Sequence, residues 1–224
     1  MNKNMIMRVI YEQKDYPLAE KLCEERQDDE SLLMLARVLF YEKKYAKAEM
    51  LFKKLHKFVE YGYCKLFQGE KRAADMIWNS LEDSSPLIMW AKALSGYLDK
   101  KQTRIPTFFQ IRNFYECDLD TLMSLKFLKY SENLINSIQY FADINPEVYK
   151  FTGRVLLNHG YLDLAEKFLQ AGKDVVFDDT ELHFLFAELR MAQNQRPAAI
   201  KSLEIVLEIS PTYYPARKLL ANIK

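Results

Sequence analysis

Three histidines are the side chains of this chain best suited to acid–base chemistry or zinc binding, but they are scattered along the sequence. His56, His159 and His183 fall in different parts of the chain, and no His-x-x-x-His or Cys-x-x-Cys spacing occurs. A zinc site draws its ligands from such closely spaced pairs. The sequence therefore predicts no metal site and no cofactor, and we expect His183 to be a packing ring inside a helix pair.

Paired aspartates are the next candidates for chemistry, and they stand immediately before predicted helices. Asp28 and Asp29 precede one helix, and Asp178 and Asp179 precede another. A catalytic carboxylate needs a partner acid or base, which neither pair has in the sequence pattern. Acids at these positions usually cap the helix and complement its dipole. We therefore expect capping, no catalytic residue and no enzymatic activity.

Charge and composition narrow the classes of partner. The chain has 32 Lys and Arg against 31 Asp and Glu, a formal net charge of +1, so no global field attracts a phosphate backbone. No apolar run approaches the roughly 18 residues of a membrane span. The sequence therefore predicts neither a nucleic-acid partner nor a membrane partner.

Helices and reduced thiols are both favoured by the composition. Only 6 Gly and 7 Pro occur in 224 residues, too few for the many turns of an all-β fold. Cys23, Cys64 and Cys117 are an odd, widely spaced set within helical patterns, which is typical of packed, reduced cysteines rather than a disulfide framework. We expect a cytoplasmic, helical protein.

A helix–turn–helix pattern recurs along the chain and would position any functional side chain. Its clearest copies, residues 146–179 and 180–213, are adjacent and of equal length. The recurring residues are Gly153, Ala165 and Leu169 in the first copy and Ala187, Ala199 and Leu203 in the second. A small residue is required where the second helix crosses the first, with the Ala twelve positions later as the other half of that contact. The large residue that follows is expected to face the next unit.

Weaker copies extend the pattern over the whole chain. The predicted units are 1–28, 29–54, 55–88, 89–114, 115–145, 146–179 and 180–213, followed by a capping helix at 214–224. The unit 89–114 is degenerate, and 115–145 is recognised by spacing alone because its small residues are missing. Since one unit cannot bury its apolar face by itself, we expect all units to stack as a single domain, 1–224.

The two clearest units resemble tetratricopeptide repeats (TPRs). The resemblance rests on Tyr149, Gly153, Gly160 and Ala165 in one unit and on Ala187, Ala199 and Pro211 in the other. It implies an all-α fold, a right-handed superhelical solenoid of antiparallel helix pairs. It also implies a concave groove that binds a peptide or a partner helix.

The same resemblance implies which side chains face that groove. The candidate partner-binding residues are Arg8, Arg37, Tyr41, Tyr63, Lys150, Arg154, Asn158 and Glu188. Arginine interleaved with aromatic residues is typical of binding surfaces. Lys150, Arg154 and Asn158 recur every fourth residue and so share one helical face, for which we expect a partner with acidic groups.

The function that the sequence favours is a non-catalytic protein-interaction module, an adaptor or scaffold for a protein or peptide. Two alternatives stay open. One is a structural subunit that assembles with itself, for which a homodimer is one form. The other is a regulatory subunit of an enzyme.

Overall fold

The computed structural model describes residues 8–13, 15–24, 28–82 and 84–223, and within these ranges it contains helices and turns but no strand. The prediction of an all-α fold is confirmed. Parts of the predicted unit 1–28, namely residues 1–7, 14 and 25–27, lie outside the described residues, as does Lys224 at the end of the predicted capping helix.

The chain divides into two compact units, and the first runs from residue 1 to residue 95. Its elements are a π-helical turn at Val9–Gln13 and the helices α1 Tyr16–Glu24, α2 Asp29–Tyr41, α3 Tyr45–Lys54, α4 Phe58–Phe67, α5 Lys71–Ser80 and α6 Pro86–Leu98, whose last three residues belong to the second unit. From α1 to α5, each helix packs against the next. The largest fully buried side chains of this unit are those of Trp78, Trp90 and Phe52.

The second unit covers residues 96–224. Its first long helix, α7, consists of Phe108–Gln110, a π-helical segment Ile111–Tyr115 and Glu116–Ser124; then follow α8 Leu128–Asn136, α9 Ile138–Phe141, α10 Val148–Asn158, α11 Leu162–Val175, α12 Thr180–Ala192, α13 Arg196–Ile209 and α14 Tyr214–Ile223. The strongest packing is within the pairs α10–α11 and α12–α13. Helix α10 also contacts α7 on one side and α12 on the other, so first helices of successive pairs lie next to one another. That the two units form one continuous domain stays a prediction.

The same turn joins the first helix of each pair to the second. The second residue after the first helix has a left-handed backbone, with φ between 60° and 86°, at Lys43, Gly69, Lys126, Gly160 and Asn194. The N–H of that residue donates to the carbonyl three residues back, and the next N–H donates to the carbonyl five residues back, as from Gly160 to Leu157 and from Tyr161 to Leu156. This is the Schellman arrangement, which satisfies carbonyls left open at a helix end. Gly160, one of the residues on which the resemblance rests, therefore serves the turn.

Close helix crossing explains the recurring small residue. A Cβ on Gly153 would lie 2.6 Å from Cγ of Leu169, and one on Gly62 would lie 2.7 Å from Cε2 of Trp78. Both partners stand sixteen residues later, on the second helix of the same pair. The predicted crossing position is confirmed. Leu169 and Trp78 each fill the space beside the first helix of their own pair, which the sequence pattern did not predict; that they also face the next unit stays a prediction.

The region of the predicted units 89–114 and 115–145 is organised differently from the sequence expectation. Residues 114 and 115 both lie in the π-helical segment of α7, so the predicted boundary between these units falls inside one helix. In the register of the turn at Lys126, Leu119 occupies the small-residue position and Ser131 occupies the Ala position; both are buried. The small residue of the second helix is therefore retained as serine, which a pattern of Gly and Ala does not include.

Two of the paired aspartates cap helices, as predicted. Asp28 accepts a hydrogen bond from the backbone N–H of Ser31 at 3.0 Å, and Asp179 accepts one from that of Leu182 at 3.0 Å. His183 is buried and lies edge-on to Phe177, with Nε2 2.8 Å from the Phe177 carbonyl oxygen. Its expected packing role is confirmed. Of the cysteines, Cys23 and Cys64 are buried but Cys117 is exposed, so the expectation of a packed thiol is wrong for Cys117.

Candidate partner-binding face

The predicted binding residues of the first unit differ in how accessible they are. Arg8 is exposed and pairs with Glu12 at 2.9 Å, and Arg37 is exposed on α2. Tyr41 is 49% exposed. Tyr63 is buried, with its ring 5.1 Å from the Trp78 ring. Its placement in an open groove was therefore wrong: Tyr63 belongs to the core that Gly62 opens for Trp78.

The polar stripe on α10 lies on one face, as its spacing predicted, but its exposure changes along the helix. Lys150 is buried, the Arg154 side chain is 26% exposed, and Asn158 is exposed. Glu188, on the neighbouring helix α12, is also exposed. Only the carboxyl-terminal end of the stripe is thus open to a partner.

Lys150 is held by carboxylates from its own helix end and from α12. Its Nζ lies 2.6 Å from Oδ2 of Asp179, 3.2 Å from Oε2 of Glu181 and 3.3 Å from Oε1 of Glu147. Burial alone lowers the pKa of Lys150, but the hydrogen bond and charge of Asp179, with the charge of Glu181, outweigh it and raise that pKa. Lys150 therefore fastens the α12 cap to α10.

Arg154 joins three first helices. Its Nη1 lies 3.2 Å from Oε1 of Glu116 on α7, and its Nη2 lies 2.7 Å from Oε1 of Glu181 on α12. The contact with Glu181 is an ion pair without hydrogen-bond alignment, since Nη2 makes no hydrogen bond within the described residues. Arg154 therefore already pairs with two carboxylates of the chain. Replacing it by glutamate would bring three carboxylates together.

We use the name first-helix face for the surface formed by Glu116, Asp120, Arg154, Asn158, Glu181 and Glu188. Around Lys150 and Arg154, two cations contact four carboxylates, those of Glu116, Glu147, Asp179 and Glu181. Asp120 and Glu188 add two more acids to the same side of the unit. The face therefore carries an excess of negative charge, and the expectation of a partner with acidic groups stays an untested prediction.

The carboxylates of Glu116 and Glu188 on this face have raised pKa values. Burial raises the pKa of Glu116, although Arg154 lowers it, and the charges of Glu181 and Asp120 raise it further. Burial likewise raises the pKa of Glu188, against a lowering by Arg154. Raised values mean that the internal cation does not fully compensate these acids. A further cation bound at the face would compensate them.

An open cleft of about 400 Å³ lies between α7 and α10. It is lined by Arg112, Asn113, Glu116, Cys117, Asp120, Val155 and Asn158. Arg112 and Asn113 come from the π-helical segment, an element that frequently occurs at functional sites. At its edge, Nε2 of His159 lies 2.9 Å from Oδ1 of Asp120. The sequence pattern identified Asn158 but none of the α7 residues, since their helix begins before the predicted unit does.

No group of three or more metal-binding side chains comes together in the part of the chain that the structure describes. None of the helices there is both long enough and apolar enough to span a bilayer.

Glu188 gives a pH-dependent test of this description. Because its folded-state pKa is raised, its charged form costs stability above that pKa, and the cost disappears as the pH falls to the unfolded value of about 4.3. Glu188→Gln should therefore raise the melting temperature at neutral pH, with the difference shrinking towards pH about 4. Glu204→Gln, at an exposed site on α13, is the control. A lower melting temperature for Glu188→Gln at neutral pH would mean that the carboxylate is fully compensated by Arg154.

No protein-family model matches the chain, and no curated protein matches it either. Among solved structures, a chain of the APC/C hetero-tetramer Cut9–Hcn1 is similar with a TM-score of 0.38 and 15% identity, over 94% of this chain and 40% of that one. A thermophilic TPR protein of Thermus thermophilus is similar with a TM-score of 0.37 and 18% identity, over 88% of this chain and 98% of that one. The chain thus spans less than half the length of the first structure.

Both TM-scores are low, so they carry no argument about function. The fold is evident in the molecule itself: helix pairs in sequence order, a common turn within each pair, and small residues where the two helices cross. These are the elements that tetratricopeptide repeats share. The described residues have a TPR-like repeat fold.

Proposed function

We propose that this chain is a non-catalytic protein-interaction module and that the first-helix face of its second unit binds a basic segment of a partner protein. The observation that carries the proposal is the excess of incompletely compensated carboxylates beside an open cleft. Glu116 and Glu188 have raised pKa values, and the cleft next to Glu116 is about 400 Å³, within the range of binding pockets.

The chemistry of the cleft suits a peptide. Asn113 and Asn158 present side-chain amides, which can donate to and accept from a peptide backbone. A lysine or arginine of the partner would bring the missing positive charge to Glu116 and Asp120. Electrostatic complementarity of this kind sets both specificity and association rate.

The partner-binding roles of Arg37 and Tyr41 remain part of the proposal for the first unit, where both are accessible. Lys150 contributes by holding α10 to α12 rather than by touching the partner. The cytoplasmic location stays a prediction from the sequence.

A peptide-binding assay tests the proposed function. Short peptides in basic, neutral and acidic pools of equal size would be captured on the immobilised full chain. We expect retention of the basic pool above that of the neutral pool, weakening as salt rises from about 50 to about 500 mM because the charges are then screened. Glu116→Gln/Glu188→Gln should lower affinity for retained peptides about tenfold.

The matched control is Glu204→Gln/Glu208→Gln, which removes two exposed carboxylates from α13. It changes the net charge of the chain by the same amount and should change affinity by less than about twofold. Equal losses from the two double variants would mean that the basic peptides respond only to net charge. Retention of the acidic pool through Arg154 would restore the partner chemistry predicted from the sequence.

A further inference from the structure

Four lysines surround two adjoining clefts at the turns that follow α6 and α7. Lys100 and Lys101 belong to the first turn. Lys126 belongs to the second turn, and Lys129 lies at the start of α8. One cleft has a volume of about 590 Å³ and the other about 890 Å³, and both are lined by Lys100, Lys101 and Asn133. We call these four residues the lysine surface. None of them belongs to the first-helix face.

The positive charge of the lysine surface is largely uncompensated. Lys101 pairs with Asp99 at 2.9 Å. Within the described residues, no carboxylate forms an ion pair with Lys100, Lys126 or Lys129. Asp99 is also the only acid among the described residues that line either cleft. Since the whole chain has a formal net charge of +1, this is a local concentration of positive charge, complementary to an acidic ligand.

Exposed apolar side chains form the walls between these charges. Ile105 is 60% exposed and Tyr140 57% exposed in the smaller cleft, and Leu128 is 55% exposed in the larger one. Large apolar side chains in a concave surface gain free energy when a partner's apolar group covers them. The clefts therefore suit a ligand that combines negative charge with an apolar side chain.

Asn133 supplies a hydrogen-bonding group at the junction of the clefts. Its side chain is almost fully buried, at 4% exposure, and its Nδ2 donates to the Leu98 carbonyl oxygen at 2.6 Å. Its Oδ1 has no hydrogen-bond partner within the described residues. A buried acceptor without a donor is costly, and a peptide N–H is a donor of the required kind. Gln102, Asn136 and Gln139 add further amides around the smaller cleft.

We propose that the lysine surface binds an acidic peptide segment of a partner protein, with a large apolar side chain of that segment in one of the two clefts. A nucleic acid fits these observations less well, because the cations are lysines clustered around apolar clefts rather than a basic strip that follows a phosphate backbone. This site differs from the first-helix face in position and in the charge of its ligand. The inference about the lysine surface can therefore fail or hold independently of the proposed function.

Fluorescence anisotropy with defined probes tests the inference on the full chain. The first probe is a labelled peptide in which Glu alternates with Leu and Phe, the second carries Lys in place of Glu, and the third is a single-stranded oligonucleotide of matched negative charge. We expect the acidic peptide to bind more tightly than the oligonucleotide and, unlike the lysine peptide, to depend on the lysine surface for its binding. Lys126→Glu/Lys129→Glu should weaken that binding at least about tenfold, and Lys126→Gln/Lys129→Gln should weaken it less.

The matched control is Lys167→Glu/Lys201→Glu, which reverses two exposed lysines on α11 and α13 of the same unit. It should change the affinity for the acidic peptide by less than about twofold. All double variants should keep the wild-type melting temperature. The residues that they replace are exposed and form no ion pair among the described residues: Lys126, Lys129, Lys167 and Lys201. Equal loss in control and test variants would overturn the inference. So would tighter binding of the oligonucleotide than of the acidic peptide.

Discussion

Gly153→Leu should destabilise the second unit by about 3 kcal/mol, the cost of overpacking at a close helix crossing. A Cβ at residue 153 would lie 2.5 Å from Cδ2 and 2.6 Å from Cγ of Leu169, and 3.3 Å from the Leu169 backbone nitrogen. The side chain of Leu169 is fully buried, so it has no free space into which it can move. The backbones of α10 and α11 must therefore separate. Urea unfolding followed by circular dichroism would measure the loss.

Gly172→Ala is the matched control on α11. A Cβ there would lie 3.4 Å from its nearest neighbour, Cβ of Tyr149, which is ordinary van der Waals contact. Because alanine also favours a helix interior over glycine by roughly 0.5 to 1 kcal/mol, this variant should be neutral or slightly stabilising. If Gly153→Leu were as stable as wild type, the assigned register of the helix pair would be wrong.

Lys150→Ala should destabilise the protein by about 3 kcal/mol at neutral pH, because removing one member of a buried ion pair leaves its partner uncompensated. The variant would leave Asp179 without the cation 2.6 Å away and would leave Glu181 with Arg154 alone. The contact between α10 and the amino-terminal end of α12 would weaken as a result. Lys167→Ala, at an exposed site on α11, should lie within about 0.5 kcal/mol of wild type.

The loss of stability caused by Lys150→Ala should become smaller at both acid and alkaline pH. Burial raises the pKa of Asp179, but the hydrogen bond from Lys150 and the backbone N–H groups lower it more, so its folded value lies below the ordinary one. The stabilisation that ionised Asp179 contributes is present above its unfolded pKa of about 3.9 and is lost as the pH falls through its folded pKa. The raised pKa of Lys150 gives stability below about pH 10.4 that is lost as the pH rises through its folded value.

Thermal melts of wild type and Lys150→Ala across the pH range would show this dependence. The difference between the two proteins should be greatest near neutrality and should shrink at both ends of the range. A difference that stayed constant from acid to alkaline pH would show that Lys150 stabilises the fold through its methylene packing and not through its charge.

The helix pairs could be predicted from the sequence because close crossing restricts the residue type. Gly62 and Gly153 are required by the rings and methyl groups beside them, and the spacing to Trp78 and Leu169 recurs with the pair. The region of α7 could not be predicted in the same way. Its π-helical segment shifts the helical phase, and Leu119 stands where the pattern predicts a small residue.

The burial of a side chain and the net charge of a face could not be predicted from the sequence pattern. Periodicity places a side chain on a face but does not say how far the neighbouring helices cover it, so it predicts open positions for Tyr63 and Lys150, although both are buried. The acids that contact Arg154 stand 38 residues before it and 27 residues after it, on other helices. Only the fold brings Glu116 and Glu181 together and makes the face negative.

Site-specific photocrosslinking would test the central claim, that the first-helix face of the second unit is the binding surface. A photoreactive phenylalanine at Asn158 would lie at the open cleft, whereas the same residue at Lys167 would lie on the second helix of the same pair. With a basic peptide selected by the chain, we expect crosslinks from residue 158 and none from residue 167. Crosslinks from residue 167 alone would contradict the account, because the peptide would then contact the second-helix side.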